Sequence, residues 1–152
     1  MNASKRIDPL LKRAQEKEDT VARELADRQR LLDTHLSRLD ELRRYADEYA
    51  GAQLAATSPA QLLNRRAFLD RLDNAVAQQQ QTVQGNREKV EAERARLLLA
   101  SRDKQVLEQL AASYRAQEMK VVERRNQREM DDLGARRVRT LSSEDADGGD
   151  AS

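Results

Sequence analysis

Side chains able to carry out catalysis are sparse in this sequence. His35 is the only histidine and there is no cysteine, so these residues cannot form a metal site with several imidazole or thiolate ligands, or a Cys-His nucleophile pair. The five glycines do not form a phosphate-binding loop. Carboxylates are numerous, but they are spread through a chain that is 36% charged. We therefore predict a protein that is not an enzyme and that uses no metal or cofactor.

His35 instead occupies one position of a long apolar repeat. Steps of four and three residues from Ile7 reach mostly apolar side chains, which is typical of a coiled-coil seam. His35, Glu18 and Arg28 interrupt this seam, and we expect such polar residues to restrict the pairing register at some cost in stability. The positions reached are Ile7, Leu11, Ala14, Glu18, Val21, Leu25, Arg28, Leu32, His35, Leu39, Leu42, Ala46 and Tyr49.

A second, poorer seam follows in the other half of the chain. Its positions are Leu69, Leu72, Val76, Gln79, Val83, Asn86, Val90, Glu93 and Leu97, and then Leu107, Leu110, Tyr114, Gln117 and Val121. The two runs are out of phase. The pattern therefore predicts a stutter-like change in winding between Leu97 and Leu107.

Start and stop signals divide the two seams. Asp8 before Pro9 is a candidate N-cap, and Ser58 followed by Pro59 and Gln61 fits a capping box. A helix running through Pro59 would be destabilised by about 3 kcal/mol. The segment 49–64 also carries no charge. We predict helices over about residues 9–50 and 59–138, with a tip at about 51–58.

Two long helices joined by a short connection must be antiparallel neighbours. The expected fold class is all-α, as an antiparallel coiled-coil hairpin in a single domain over residues 1–141. The second helix is longer, and matching the helices from the tip brings the first helix to its end opposite about residue 100. The part of the second helix left without a partner includes Tyr114, Met119, Val121, Val122, Met130 and Leu133. The acidic, glycine-containing segment 142–152 is predicted to be disordered.

Most of the aromatic side chains fall near the predicted tip. Leu42, Tyr45 and Tyr49 share one helical face, and Phe68, Leu72 and Ala75 share another. Two interpretations are open, and both can hold. The rings close the end of the hairpin, or they form a docking patch, because a two-helix structure has no third layer to cover them.

The basic C-terminal stretch 118–139 has two further interpretations. It is a solvated helix held by charge pairs, or its arginines bind a partner. Binding of nucleic acid is disfavoured by the interleaved acids and by the lack of a surface combining basic and aromatic residues. No apolar run approaches 18 residues, so we expect no membrane insertion and a cytoplasmic protein.

Three segments resemble the flagellar export protein FliJ family. They are RLDELRRYADEYAG and NRRAFLDRLDNAV on either side of the predicted tip, and RRNQREMDDL near the C-terminus. The resemblance covers residues 5–139, and the stalk proteins of injectisome secretion share the architecture. The segment from Ser142 onward departs from the family pattern.

The resemblance implies a stalk-like component of type III protein export, cytoplasmic and peripherally associated with the inner-membrane export apparatus. The implied partners are the hexameric export ATPase, the cytoplasmic domain of the export gate, and export chaperones. The residues implied to bind the gate are Leu42, Tyr45, Tyr49, Phe68, Leu72, Ala75 and Gln79. Those implied to bind the ATPase are Met119, Val122, Arg125, Arg128 and Met130.

Other functions stay open on the sequence alone. An injectisome stalk protein would have the same architecture. A cytoplasmic scaffold coiled coil could dimerise through the unmatched part of its second helix. A nucleic-acid-associated helical protein ranks third. Each alternative uses the same helices, so the fold by itself does not choose among them.

Overall fold

The computed structural model describes residues 2–52 and 58–147. Within those residues there are two helices and no strand: α1 spans Ala3–Gly51 and α2 spans Pro59–Asp147. The second helix is the longer one, as predicted, and the all-α hairpin is confirmed. The tip residues 53–57 and the last five residues lie outside the described ones, so the disorder predicted for the end of the chain stays a prediction. The helical end lies at Asp147, beyond the predicted end near residue 138.

The prediction that Asp8 caps the first helix is wrong. The helix begins at Ala3 and contains Pro9. The Lys5 amide donates a hydrogen bond of 3.1 Å to the Asn2 carbonyl in the first turn. Pro9 lies inside the helix, past its first turn, so it removes the hydrogen bond that an amide there would donate to the Lys5 carbonyl and is locally unfavourable. In the first turn, the amide and hydroxyl of Ser4 donate hydrogen bonds to the carboxylate of Glu118 on α2.

The predicted start of α2 is confirmed. The amide of Gln61 donates to the Ser58 hydroxyl oxygen at 3.3 Å, and the amide of Leu62 donates to the Ser58 carbonyl at 3.2 Å. Pro59 is the first helical residue, where its missing amide hydrogen costs nothing. Ser58 therefore acts as the N-cap of α2.

Contacts divide the chain into two units, residues 13–104 and residues 2–12 with 105–147. The predicted single domain over residues 1–141 stays a prediction, and the units are described separately below.

In the unit formed by residues 13–104, the helices pair antiparallel. Gln79 contacts His35, Arg96 contacts Glu24, and Lys104 contacts Glu18. Residues later in α2 thus contact residues earlier in α1. The apolar core of this unit is the row of side chains between the helices. Its buried members are Val21, Leu39, Leu72, Val83, Val90 and Ala100.

Every predicted seam position of α1 is buried or half-buried, so the first seam is confirmed. The nine positions of α2 from Leu69 to Leu97 are confirmed in the same way. The predicted stutter after Leu97 is wrong. The least exposed positions of α2 continue at unbroken steps of three and four through Ala100, Lys104, Leu107, Ala111, Tyr114 and Glu118, whereas Leu110, Gln117 and Val121 are exposed. Several of these positions carry alanine, lysine or glutamate, so a pattern of large apolar side chains does not reveal them.

In the other unit, the start of α1 pairs with residues near 115–118 rather than near residue 100. Ser4 contacts Glu118, and the Asp8 carboxylate lies 3.4 Å from Arg115. Ile7 and Ala111 are buried here. The pairing reaches farther along α2 than predicted, in part because α1 begins earlier. In addition, residues 59–64 at the start of α2 are exposed, and the end of α1 contacts Arg65, so α2 is not matched from Pro59.

Beyond this pairing, α2 continues as a helix exposed on all sides. Every residue from 119 to 144 is exposed. Tyr114, predicted to project without a partner, is instead half-buried, while Met119, Val121, Val122, Met130 and Leu133 are exposed as expected. An isolated helix gains little stability from tertiary packing, so this segment is the part of α2 best placed to receive another molecule.

Candidate functional site

Three aromatic rings form a cluster across the two helices near the end of α1. The Tyr49 and Phe68 ring centres are 4.6 Å apart at an interplanar angle of 61°, and those of Tyr45 and Phe68 are 6.4 Å apart at 78°. Both are edge contacts, the arrangement that the ring quadrupole favours. We call Tyr45, Tyr49 and Phe68 the ring cluster.

The ring cluster is only partly covered. Phe68 and Tyr49 are half-buried, whereas Tyr45 is 52% exposed. The rings therefore close the end of the seam and also leave aromatic surface in water. Phe68 packs inward, as closure of the seam requires, while Tyr45 faces out, and the docking interpretation stays a prediction.

The other residues predicted to bind the gate divide by exposure. Leu72 is buried, with 8% of its surface exposed, so it belongs to the seam rather than to the exposed surface. Leu42 and Ala75 are half-buried. Gln79 is held by α1, because its amide nitrogen lies 2.9 Å from the His35 carbonyl oxygen and 3.2 Å from His35 Nδ1.

Three of these residues line a shallow groove beside the ring cluster. Leu42, Tyr45 and Gln79 are joined there by Arg38 and Glu41. The sequence reading did not single out these two charged residues, because they lie next to the seam rather than on it. The groove therefore combines apolar side chains with one positive and one negative side chain. Such a lining is suited to a partner with both apolar and polar groups.

Arg65 is a further residue that sequence reasoning missed. Its guanidinium donates hydrogen bonds to the carbonyl oxygens of Tyr49, at 3.3 Å, Ala50, at 3.5 Å, and Ala52. The last carbonyls of a helix have no amide partner within the helix, and a cation there also interacts favourably with the helix dipole. There is no basic residue in the last turn of α1 itself. Arg65 therefore fixes the end of α1 and, with it, the position of Tyr49.

Exposed leucines extend the apolar surface at the start of α2. Leu62 is 53% exposed and Leu63 is 68% exposed. Both leucines lie within the uncharged segment 49–64. The sequence alone did not predict their exposure, because it depends on where α1 ends.

The residues predicted to bind the ATPase are all exposed. Met119, Val122, Arg125, Arg128 and Met130 lie on the part of α2 that α1 does not cover. All of them except Met119 line shallow depressions rather than one cavity. Val122 and Arg125 border the start of α1, Arg125 and Arg128 border Val121, and Met130 lies beside Leu133. Such a surface suits contact with another protein more than enclosure of a small molecule.

Glu118 lies at the boundary of this segment. Its carboxylate accepts hydrogen bonds from the Ser4 hydroxyl at 2.7 Å and from the Ser4 amide at 3.1 Å. These two bonds hold the pKa of Glu118 below its ordinary value, the hydroxyl bond being the larger cause. Because α1 has no acidic residue in its first turn, Glu118 supplies the negative charge that the helix N-terminus favours.

Within residues 2–52 and 58–147, no group of three or more His, Cys, Asp or Glu side chains is placed to hold a metal ion. No helix in the same residues is long and apolar enough to cross a membrane. The site residues are instead aromatic, aliphatic and arginine side chains on helix surfaces, the types enriched where proteins meet. They define a two-helix coiled-coil protein whose exposed surfaces are suited to binding other proteins.

Comparison with known families agrees with this class. The chain matches the family described as Flagellar FliJ protein over residues 4–141. It therefore belongs to the FliJ family and is a protein related to flagellar export. The family is a non-catalytic component of export, which fits the prediction that this chain is not an enzyme. No curated protein and no solved structure matched it.

Proposed function

We propose that this protein connects the hexameric export ATPase to the cytoplasmic domain of the export gate. The observation that carries the proposal is the half-exposed ring cluster, since a two-helix unit has no other layer that could bury Tyr45. The ring cluster and the exposed segment of α2 belong to different units. Each can therefore bind a partner of its own.

The gate-binding surface in this proposal consists of the ring cluster with the groove beside it. Tyr45 supplies apolar area and a polar hydroxyl, and side chains of this kind contribute strongly at interfaces. Leu42 and Gln79 line the groove, whereas Leu72 is buried and Ala75 is half-buried. Arg65 positions Tyr49 by holding the end of α1.

The gate-binding part of the proposal is tested by measuring how tightly the isolated cytoplasmic gate domain binds variants of this protein. We expect Tyr45→Ala to weaken binding about tenfold or more, as an exposed aromatic at the centre of an interface does, and Tyr45→Phe to retain most of it. Arg44→Ala is the matched control, because Arg44 is exposed one residue away. Unchanged gate binding by Tyr45→Ala, with the helix content intact, contradicts this assignment.

The ATPase-binding surface in the proposal is the exposed part of α2, with Met119, Val122, Arg125, Arg128 and Met130. The arginines are suited to carboxylates on a partner, and the apolar side chains supply area to bury. Coupling between the two partners requires that binding at one surface change the affinity at the other. The proposal therefore predicts that the gate domain alters the apparent affinity for the ATPase.

The ATPase-binding part of the proposal is tested by adding the protein to the cognate export ATPase and measuring the rate of ATP hydrolysis. We expect stimulation that Arg125→Glu and Arg128→Glu together reduce, whereas Arg30→Glu, exposed in the other unit, leaves it unchanged. If the unmodified protein neither binds the ATPase nor changes its rate of ATP hydrolysis, this part of the proposal is refuted.

Handling of export chaperones, and a cytoplasmic location at the periphery of the export apparatus, belong to the same proposal. They are tested by chaperone pull-down and by fractionation.

A further inference from the structure

The exposed segment of α2 has an apolar stripe that is distinct from the coiled-coil seam. Large apolar side chains stand at Met119, Val122, Met130, Leu133 and Leu141, and they are between 53% and 70% exposed. Met119, Met130 and Leu141 are spaced by eleven residues, as are Val122 and Leu133. An eleven-residue repeat keeps side chains on one face of a helix that pairs with a right-handed twist. We call these five residues the apolar stripe.

The apolar stripe is not the continuation of the face that packs against α1. The seam runs through Ala111, Tyr114 and Glu118, and its next steps of three and four are Val121 and Arg125. At 3.6 residues per turn, the centre of the stripe is rotated by about 100° from the seam. A helix lying along the stripe would therefore pass beside the start of α1 without displacing it.

We propose that the apolar stripe binds the same stripe of a second copy of this chain, in antiparallel orientation. If Met130 is placed against Leu133 of the second copy, Val122 comes to lie against Leu141 and Asn126 against Arg137. Each of these pairs occurs twice, because the arrangement has two-fold symmetry. Four of the five stripe residues are thus opposed by another stripe residue in one antiparallel register, while Met119 comes opposite Glu144.

Charge favours the same arrangement. Glu129 and Arg136 lie on the same flank of the stripe, and residues on equivalent flanks face each other in antiparallel helix pairs, as Glu24 and Arg96 do in this protein. The antiparallel register places Glu129 of one copy beside Arg136 of the other. Neither side chain has an ion pair within the described residues. A parallel pair would instead bring Arg137 against Arg137.

The size of the interface sets its strength. The stripe extends about 33 Å along the helix, and two such helices bury less than the 1,200–2,000 Å² of surface that is typical of stable specific complexes. A weak dimer is therefore expected, with a dissociation constant in the range of about 10–100 µM and an interface that can open for another partner.

The dimer also has a consequence for the proposed function, and this consequence rests on that function. The second copy would cover Met119, Val122 and Met130, which belong to the proposed ATPase-binding surface. Self-association and ATPase binding would then compete, so that free protein is held in a form unable to engage the ATPase.

The first test measures the mass of the full-length protein by sedimentation equilibrium between about 1 and 500 µM, a range spanning the expected dissociation constant. We expect the mass to rise from that of the 17.3 kDa chain toward twice that value. Glu129→Arg or Arg136→Glu alone should raise the dissociation constant about tenfold, and the two together should restore it. Arg128→Glu, on the opposite face, makes the same change in charge as Arg136→Glu and should have no effect. A monomer throughout the range, or no restoration in the double variant, overturns the proposal.

The second test fixes the orientation by chemical cross-linking, since the natural chain contains no cysteine. Val122→Cys mixed with Leu141→Cys should be cross-linked by a short bismaleimide, whereas either variant alone should not, because identical positions lie about 28 Å apart in the antiparallel register. Cross-linking of each variant to itself, without cross-linking between the two, would show a parallel dimer and overturn the proposal.

Failure of this inference is distinguishable from failure of the proposed function. Both tests above are made without the ATPase, so they report on the dimer alone. In ATPase-binding measurements, Glu129→Arg should bind the ATPase at least as tightly as the unmodified protein. If the unmodified protein dimerises but no variant binds the ATPase, the proposed function fails while the dimer stands.

Discussion

The hydrogen bonds from Arg65 to the end of α1 lead to a measurable prediction for stability. Replacement of Arg65 by methionine keeps most of the aliphatic stem and removes the guanidinium. The carbonyl oxygens of Tyr49, Ala50 and Ala52 then lose their side-chain donor. We expect the last turn of α1 to fray and the protein to become less stable.

The size of this effect follows from two contributions. A hydrogen bond from a charged group contributes about 1.5–3 kcal/mol when well buried, but Arg65 is half-buried and water replaces part of the loss. A cation near a helix C-terminus contributes about 0.3–1 kcal/mol. We therefore expect Arg65→Met to lower the free energy of unfolding by about 1–2 kcal/mol, which corresponds to about 2–8 °C in the melting temperature.

The assay is thermal unfolding followed by helix content, together with hydrogen exchange of the Ala52 amide. That amide donates a bond of 2.9 Å to the Glu48 carbonyl and reports on the last turn. The control is Arg66→Met, which removes an identical charge from an exposed neighbour. If the two variants unfold at the same temperature and Ala52 exchanges equally fast in both, the Arg65 contact does not stabilise the helix end.

Three further predictions concern other parts of the two helices. Gly85→Ala should stabilise the protein by about 0.5–1 kcal/mol in denaturant unfolding, because glycine weakens a helix interior and an added Cβ meets nothing within 4 Å. The hydrogen bonds from Ser4 lower the pKa of Glu118 from its ordinary 4.5, so they stabilise the fold above that pH, and the gain is lost as the pH falls through the folded-state pKa. Melting temperatures of Ser4→Ala and the natural protein should accordingly differ at pH 7 and converge at low pH. Glu18→Lys should destabilise the fold by placing two cations together where the carboxylate now lies 3.2 Å from Lys104, and adding Lys104→Glu should recover part of the loss in a double-mutant cycle.

The fold class was predictable because its signal is periodic over a long range. The α1 seam repeats through thirteen positions, all buried or half-buried in the structure. An isolated apolar residue carries no such information, but a repeat of this length leaves one face that must be covered. The Ser58 cap was predictable for a related reason, since its signature lies within four consecutive residues.

What the sequence could not supply depends on contacts between residues far apart in the chain. Glu118 accepts hydrogen bonds from Ser4, 114 residues away in sequence, in the turn where α1 begins upstream of Pro9. The continuation of the α2 seam was hidden because Ala100, Lys104 and Ala111 occupy its positions. Alanine and lysine are not read as core residues, although alanine fits where helices lie close together and lysine can cover apolar surface with its stem.

The candidate surfaces were predictable in composition but not in exposure. The sequence showed that Tyr45 and Phe68 lie near the tip, yet their different exposure depends on which face of each helix meets the other. Arg65 was not distinguishable from Arg66 beside it. Only the register of α2 against the end of α1 decides which of two adjacent arginines reaches the carbonyl oxygens.

The apolar rows alone do not fix that register. A slip of α2 by seven residues would again oppose apolar rows, because the seam repeats at that interval. The same slip would separate Glu118 from Ser4, Lys104 from Glu18, and Arg65 from the end of α1. Each separation would break an ion pair or hydrogen bond of a half-buried charged group, or leave a helix terminus without its cap, and both are unfavourable. The polar contacts along the seam and at the two ends of α1 therefore select one pairing among several that the apolar side chains would accept, and so they determine which aromatic and arginine side chains remain exposed for binding.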